Sequence, residues 1–416
     1  MTWGAFRHFN YRMFFAGQLV SQSGRWMQGL AQSWLVLDLT GSAAALGAVT
    51  VAQFSPIILL SLFSGPIADR FPKQRFLMAT QAVAALQAVV FAALVITGNI
   101  QVWEIYVLAA VVGTFNALDN PTRQSFANEL VDRAEVPSAV GLGSTVTNAA
   151  RILGPSAGGV IIATWGTGWC FAITAAGFLV SFASLAALRR HELRPAVAPT
   201  AGRMHVQVVD GLRYVLSVRE LLVPLALLAF IGSIGYNWLV TLPLLARYTF
   251  AVGPTGLGAL NAAMGLGSLV GGLLVASFRA LRAIELSRIA LAFSLALAGL
   301  AAAPLYAIAL VLLTIAGCLG VFYSAGVNAS VQLRSRPEYR GRVIGVFFLV
   351  WAGGTPVGGA LTGYLAAIWD VRVALAVNAA LCLAASVVSI VYLTRRAVPA
   401  PATGVAPAPI DDTKPA

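Results

Sequence analysis

The sequence predicts an all-α integral membrane protein with twelve transmembrane helices in two pseudo-symmetric six-helix bundles. Three observations carry that prediction. The 416 residues are 59% hydrophobic and only 10% charged, with a mean hydropathy of +0.82, whereas soluble domains average about a quarter charged. Of the 27 Lys and Arg residues, 23 fall in every second gap between apolar runs, as expected where basic loops stay on the cytoplasmic side. A glycine-rich motif also recurs 200 positions apart, so the chain reads as two related halves.

Spans are predicted at 10–37, 43–68, 75–97, 102–127, 137–163, 168–188, 221–247, 255–279, 285–303, 306–332, 341–366 and 371–394. An apolar run of roughly 20 to 28 residues suffices for a helix to cross about 30 Å of hydrocarbon. A transmembrane barrel would need alternating segments of about ten residues instead, and none is present. The first run follows Arg7 and Arg12 but carries Gln18, Gln22 and Arg25, with no small-residue cleavage pattern. It is expected to be a retained helix rather than a signal peptide.

The basic clusters are Arg7 and Arg12; Arg70, Lys73 and Arg75; Arg123 and Arg133; Arg189 to Arg219; Arg279 to Arg288; Arg334 to Arg342; and Arg395 onward. Such a set on one side of the membrane fits spans that begin and end in the cytoplasm. The intervening gaps hold only Arg247 and Arg372 at their edges, while Arg25 and Arg151 lie inside apolar runs. The expected division is a first bundle over 1–190, a cytoplasmic central loop over 191–220, a second bundle over 221–396 and a tail over 397–416. The tail, rich in Pro, Ala and Thr, is expected to be disordered.

Gly154-Pro155-Ser156-Ala157-Gly158-Gly159 returns as Gly354-Thr355-Pro356-Val357-Gly358-Gly359, and at the same offset Asn128 matches Asn328 and Gly141 matches Gly341. Gly65-Pro66-Ile67-Ala68 has a fainter counterpart in Gly272-Leu273-Leu274-Val275. Parallel repeats flanking a midplane cavity recur among secondary transporters.

Several function classes drop out. The net charge of +12 is spread over short loops without interleaved aromatics, so it orients the chain in the bilayer and does not suggest nucleic-acid binding. Cys170, Cys318 and Cys382 lack a CxxC or His partner and read as free thiols. His8, His191 and His205 fall in cytoplasmic segments and offer no metal or catalytic pair, so solvated positions are expected. No GxxxxGK[ST] loop is present for direct use of ATP. An enzyme would need convergent catalytic groups, which are absent. No cofactor is implied beyond an ion gradient.

In Gly65-Pro66-Ile67-Ala68-Asp69-Arg70-Phe71-Pro72-Lys73-Gln74-Arg75, an acid sits among bases in the tight turn joining the second and third spans. Charge pairs and helix dipoles can hold a helix end there. This string resembles the loop signature of the major facilitator superfamily, departing from it at Ile67 and at Pro72. The resemblance implies that Asp69 latches a cytoplasmic gate and that Arg70 pairs with an acid ending the fourth span, here Glu129. The bare alternative is an orientation signal. Gly154-Pro155-x-x-Gly158-Gly159 thins the fifth helix and removes a backbone hydrogen bond. It is similar to the motif that exporters of the superfamily carry there, although small residues pack many membrane helices.

The first 190 residues narrow the resemblance. Phe6-Arg7-His8-Phe9-Asn10-Tyr11-Arg12, Gly17-Gln18-Leu19-Val20-Ser21, Trp26-Met27-Gln28, Leu39-Thr40-Gly41-Ser42 and Asp119-Asn120-Pro121-Thr122-Arg123-Gln124 occur in the order seen in one branch. That branch contains the enterobactin exporter and macrolide-efflux proteins.

Polar residues inside spans point to the pathway, because they are costly in lipid. The first span presents Gln18, Gln22, Arg25, Gly29 and Gln32 on one helix face. The fourth aligns Asn116, Asp119 or Asn120, and Arg123; the seventh Ser233, Asn237 and Thr241; the tenth Ser324, Asn328 and Gln332. By resemblance, these four spans line the cavity of the superfamily.

Arg25 and Arg151 lie near mid-span, where a lone cation costs about 2.5–3.5 kcal/mol on insertion scales. They either make the cavity attractive to carboxylates and catecholates or are satisfied internally by Asn148, Gln22 or backbone freed near Pro155. Asp119 is the carboxylate deepest in a span. Burial favours its neutral form, which would couple protonation to conformational change, whereas Arg123 one turn away favours the carboxylate. A proton-coupling role and a structural ion pair both remain open for it, with Glu129 the second coupling candidate.

The resemblance implies a secondary active exporter of an amphipathic small molecule such as a siderophore, a macrolide or another drug. Proton antiport by alternating access would drive it, in the inner membrane of a bacterium, as a monomer whose partners are substrate, protons and the lipid bilayer. Nutrient uptake is a second transport reading. A non-transporting sensor or scaffold is a third.

Overall fold

The computed structural model describes residues 4–194, 204–278, 281–336 and 338–395, except for the side chains of 61–70, 204–209, 276 and 352. Gly65, Asp69 and Arg70 therefore lie in a described helix, but what their side chains touch is outside the described residues. The expected tail over 397–416 also lies outside them.

The helices are α1 Phe9–Thr40, α2 Ala43–Arg70, α3 Lys73–Ile96, α4 Val102–Ala127, α5 Val136–Trp165, α6 Thr167–Ala186, α7 Met204–Ser217, α8 Arg219–Ile234, α9 Trp238–Leu244, α10 Gly253–Ser277, α11 Ala283–Ala302, α12 Tyr306–Arg334, α13 Arg340–Gly353, α14 Thr355–Ile368 and α15 Val371–Arg395. Among the described residues, ten helical passages are long and apolar enough to cross a membrane, with α8–α9 one of them and α13–α14 another. The 32 residues of α1 and 30 of α5 give them the same reach. Both are more polar than the ten because they carry Gln22, Arg25, Gln28 and Arg151 into the interior. Outward faces are apolar, as Leu59, Leu273 and Val388 show at 69%, 65% and 68% exposure. Lipid, not water, suits such a surface.

Helix α1 packs on α5 and α6, α2 on α4, and α3 on α6; in the second half α12 packs on α10 and α11, and α11 on α15. The halves meet mainly through α5 with α10 and α2 with α14. The repeated motif explains why. A Cβ on Gly154 would lie 2.4 Å from the Ser23 carbonyl oxygen, and one on Gly159 2.6 Å from that of Pro254. In the second copy, a Cβ on Gly358 would lie 1.3 Å from the Ser233 carbonyl oxygen, and one on Gly359 2.7 Å from the Thr50 side chain. Each motif thus seats one glycine against the first helix of its own half and the next against the opposite half. Nothing lies within 4 Å of a Cβ placed on Gly141 or Gly341, so that matched pair has no such packing role.

Two predicted spans are broken. The seventh is interrupted at Gly235–Asn237, between α8 and α9, and continues through a π turn over Leu245–Thr249. The eleventh is interrupted at Gly354, between α13 and α14. Thr355-Pro356 follows that break, and a proline suits the first turn of a new helix. The polar segment 191–220 also holds α7, which packs on α13. Tyr214 stacks on Tyr339 at 4.3 Å, and Arg342 lies 3.6 Å from Asp210.

At the end of the bundle away from the described termini, the halves are tied together. Asp38 pairs with Arg247, whose guanidinium sits 5.7 Å over Trp34, and the Tyr248 hydroxyl donates to the Gly41 carbonyl at 2.8 Å. Gly41 caps α1 with φ at +60°, a conformation that favours glycine. Asp38→Asn is expected to loosen this tie. Spin labels at the exposed Leu39 and Leu305 should then give a distance distribution broadened toward longer separations relative to the parent.

Candidate functional site

Inside the first half, α1, α2, α3, α4 and α6 surround a small pocket lined mainly by polar side chains. Its centre is Asp119, which is 1% exposed. Arg123 grips this carboxylate from one turn along α4, with nitrogens at 2.9 and 3.0 Å. The Thr80 hydroxyl donates at 2.8 Å, the Gln81 amide at 3.2 Å, and Arg25 from α1 at 3.4 Å. Arg25 also donates to Asn116 and lies 5.8 Å from the Phe178 ring centroid. Four residues thus donate to one carboxylate, the arrangement that desolvated charge requires. Pro121, two residues on, cannot donate to the Ala117 carbonyl and so relaxes α4 beside this node.

Of the predicted site residues, Arg25, Gln32, Asn116 and Asp119 line this cavity. Gln18 and Gln22 lie on α1 outside it, half-buried. Asn120 is exposed, although it lies one helical turn from Asn116. The expectation that Gln22 or Asn148 satisfies the interior arginines is corrected. Arg25 takes Asn116 and Asp119, Asn148 donates to its own helix at Ser144, and Arg151 lies 5.1 Å from the Trp26 ring centroid.

The second half does not extend the cavity as expected. Asn237 sits at the α8–α9 break, where its amide donates to the Ser233 and Ile234 carbonyls and to Thr362, each at 3.0 Å. Its amide satisfies backbone that the break frees. Asn378 donates to the same Thr362 hydroxyl at 2.8 Å. Gln332 donates to Asn328 at 2.8 Å near the end of α12, beside Arg334 and away from the cavity. The two stand one helical turn apart and satisfy each other.

Sequence reasoning missed Gln28, Gln53, Thr80, Gln81 and Gln87, all of which line the cavity. Gln28 donates to Gln87 at 3.1 Å. The available signal was a polar stripe on the third span, where Thr80, Gln81 and Gln87 interrupt an apolar run.

At the end bearing the termini, Glu129 pairs with Lys73 at 2.7 Å, and Lys73 also donates to the Ser125 hydroxyl. Glu129 therefore already has a cation in Lys73, which begins α3 and stands closer to it in the fold than the sequence suggested. Arg75 is exposed. His8 is not simply solvated: it contacts Glu135 and lies 3.7 Å from Asp132. These three offer ligand atoms within 4.8 Å of one another, so the expectation that His8 lacks a ligating partner does not hold. Arg194 already pairs with Asp132 at 2.6 Å. His191 is exposed, and the His205 side chain lies outside the described residues. Cys170, Cys318 and Cys382 are free.

Residues 1–403 match the model of a family described as transmembrane secretion effectors. The multidrug efflux pump Tap of Mycobacterium tuberculosis is 29% identical over 83% of this chain and 84% of its own. Macrolide efflux protein A of Streptococcus pyogenes is 22% identical over 82% and 86%. The staphyloferrin A transporter of Staphylococcus aureus is 27% identical over 58% of this chain, which spans only 60% of that relative. Among solved structures, a POT family transporter in complex with 5-aminolevulinic acid superposes with a TM-score of 0.75 at 11% identity, covering 93% of this chain and 96% of the other. The nucleoside transporter NupG gives 0.69 at 11% identity, covering 92% and 99%. These superpositions carry the fold alone.

Proposed function

The chain belongs to the transmembrane secretion effector family of the major facilitator superfamily, and from that premise we propose that it exports an amphipathic small molecule by proton antiport. The observation that carries this reading is the buried node of Arg25, Asp119 and Arg123 inside a membrane-spanning bundle. Interior ionisable residues are costly and mark substrate or proton pathways. The relatives named above as efflux proteins support the export direction.

In this reading, Asp119 takes up a proton when conformational change draws Arg25, on α1, away from α4. Glu129, paired at the terminal end, acts with Lys73 in latching that end. The basic loops and both termini face the cytoplasm of a bacterium, so the Asp38–Arg247 tie closes the outer side. The units that rock are 1–190 and 221–396, joined by 191–220, with 397–416 as a tail. A monomer suffices, because the closed twelve-passage unit requires no partner.

The test uses energised inside-out membrane vesicles, with the pH gradient followed while a siderophore, a macrolide, a tetracycline and a lipophilic cation are added in turn. Dissipation by at least one compound, absent in vesicles without the protein, is expected. Silence with every compound would contradict export of this substrate range and favour uptake.

A further inference from the structure

Three guanidinium groups lie deep in the spans, and only two of them have an anion. Arg25 and Arg123 share Asp119. Arg151, at the middle of α5, makes no hydrogen bond or ion pair among the described residues, and its Nε is buried without a partner. It lies on the α5 face that also carries Gly154 and Gly158, so the missing side chains of those glycines let α1 bring Trp26 against it. The guanidinium is 5.1 Å from the Trp26 ring centroid. An aromatic face attracts a cation but does not neutralise it. The neighbouring ionisable group is the phenol of Tyr236 at the α8–α9 break of the other half, and that hydroxyl already donates to the Gly320 carbonyl at 2.6 Å. Arg151 therefore faces Tyr236 of the other half with its positive charge unanswered.

A desolvated cation without a counter-ion is costly. A guanidinium offers a planar fork of donors matched to an oxyanion. We propose that the transported molecule supplies this anion: the substrates are amphipathic weak acids whose carboxylate meets Arg151 and whose aromatic or apolar body lies along Trp26. The inference rests on the transport reading above and narrows it. Permanently cationic drugs meet an excess of positive charge in the same place and are poor substrates.

The test measures equilibrium binding to the full-length protein, purified in detergent, of four probes that separate charge from shape: 2-naphthaleneacetate, its neutral amide, 2-naphthylethylamine, and acetate. The parent is expected to bind the naphthyl acid about tenfold or more tightly than the amide, given the usual strength of a hydrogen bond to a charged group. The amine and acetate should bind more weakly still. Arg151→Gln should bind acid and amide alike, whereas Arg151→Lys should keep most of the preference for the acid. A ratio within one protein does not depend on its yield.

Equal binding of acid and amide by the parent would overturn the proposal, as would a preference that survives in Arg151→Gln. So would tighter binding of the amine, or no binding of any probe by protein that still unfolds cooperatively. Acetate bound as tightly as the naphthyl acid would make this a small-anion site and overturn the substrate class. The two readings fail separately. If a cationic drug collapses the vesicle pH gradient while the acid does not bind, export stands and this proposal falls. If the acid binds through Arg151 and nothing in the vesicle panel moves, the anion site stands and export of that panel falls.

Discussion

Asp119→Ala is expected to destabilise the protein by about 3–5 kcal/mol, the usual cost of removing one partner from a buried ion pair, and to abolish transport. The carboxylate is 1% exposed and takes hydrogen bonds from Arg123, Arg25, Thr80 and Gln81. Its removal leaves two guanidinium groups without an anion and the Gln81 amide without an acceptor, while the Thr80 hydroxyl keeps the Leu77 carbonyl. Asp119→Asn keeps the shape and an acceptor oxygen, so its unfolding transition should lie between that of Asp119→Ala and the parent. Arg123→Met added to Asp119→Ala removes one of the stranded cations and should recover part of the loss. Thermal unfolding of the purified proteins in one detergent ranks the four. If Asp119→Ala unfolds with the parent, the node contributes nothing to stability.

Gly358→Ala should be the most damaging of the conservative glycine substitutions. The added Cβ would stand 1.3 Å from the Ser233 carbonyl oxygen and 2.7 Å from the Asn237 amide, and both groups sit at or beside the α8–α9 break. Backbone cannot swing aside as a flexible side chain can, so the cost falls at or above the upper end of the usual range of about 1–3 kcal/mol for overpacking. The yield of monodisperse protein should fall severalfold. Gly141→Ala is the matched control: its Cβ meets open space inside a helix, where alanine is favoured over glycine by about 1 kcal/mol. It should leave yield unchanged or raised. Equal losses at the two positions would refute the distinction between motif glycines that pack and those that do not.

The all-helical class and the placement of the apolar spans were legible because span length and hydropathy answer to the bilayer alone. The repeat was legible because Gly154 to Gly159 and Gly354 to Gly359 solve the same packing problem twice. The Asp119–Arg123 pair was legible too, since one helical turn separates the two residues. What stayed hidden depended on partners distant in sequence. Arg25 reaches Asn116 and Asp119 across 91 and 94 positions, and the stripe of Thr80, Gln81 and Gln87 gains meaning only when α3 is laid against α1 and α4. Asn237 and Asn328 read as cavity residues because a polar side chain in an apolar span looks the same whether it meets a substrate, a broken helix or another amide. The helix α7 was hidden by its charges, Asp210 and Arg213, which place it in the polar segment by composition.

The most direct measurement is transport by the purified protein in proteoliposomes, with a compound found active in vesicles and a pH gradient imposed and then omitted. Antiport export predicts that, for protein inserted with its terminal end outward, the compound accumulates inside against its own gradient when the lumen is acid. That accumulation should vanish when the gradient is collapsed and be lost in Asp119→Asn. Accumulation that is the same with and without the gradient, or that requires the outside to be acid, would contradict it.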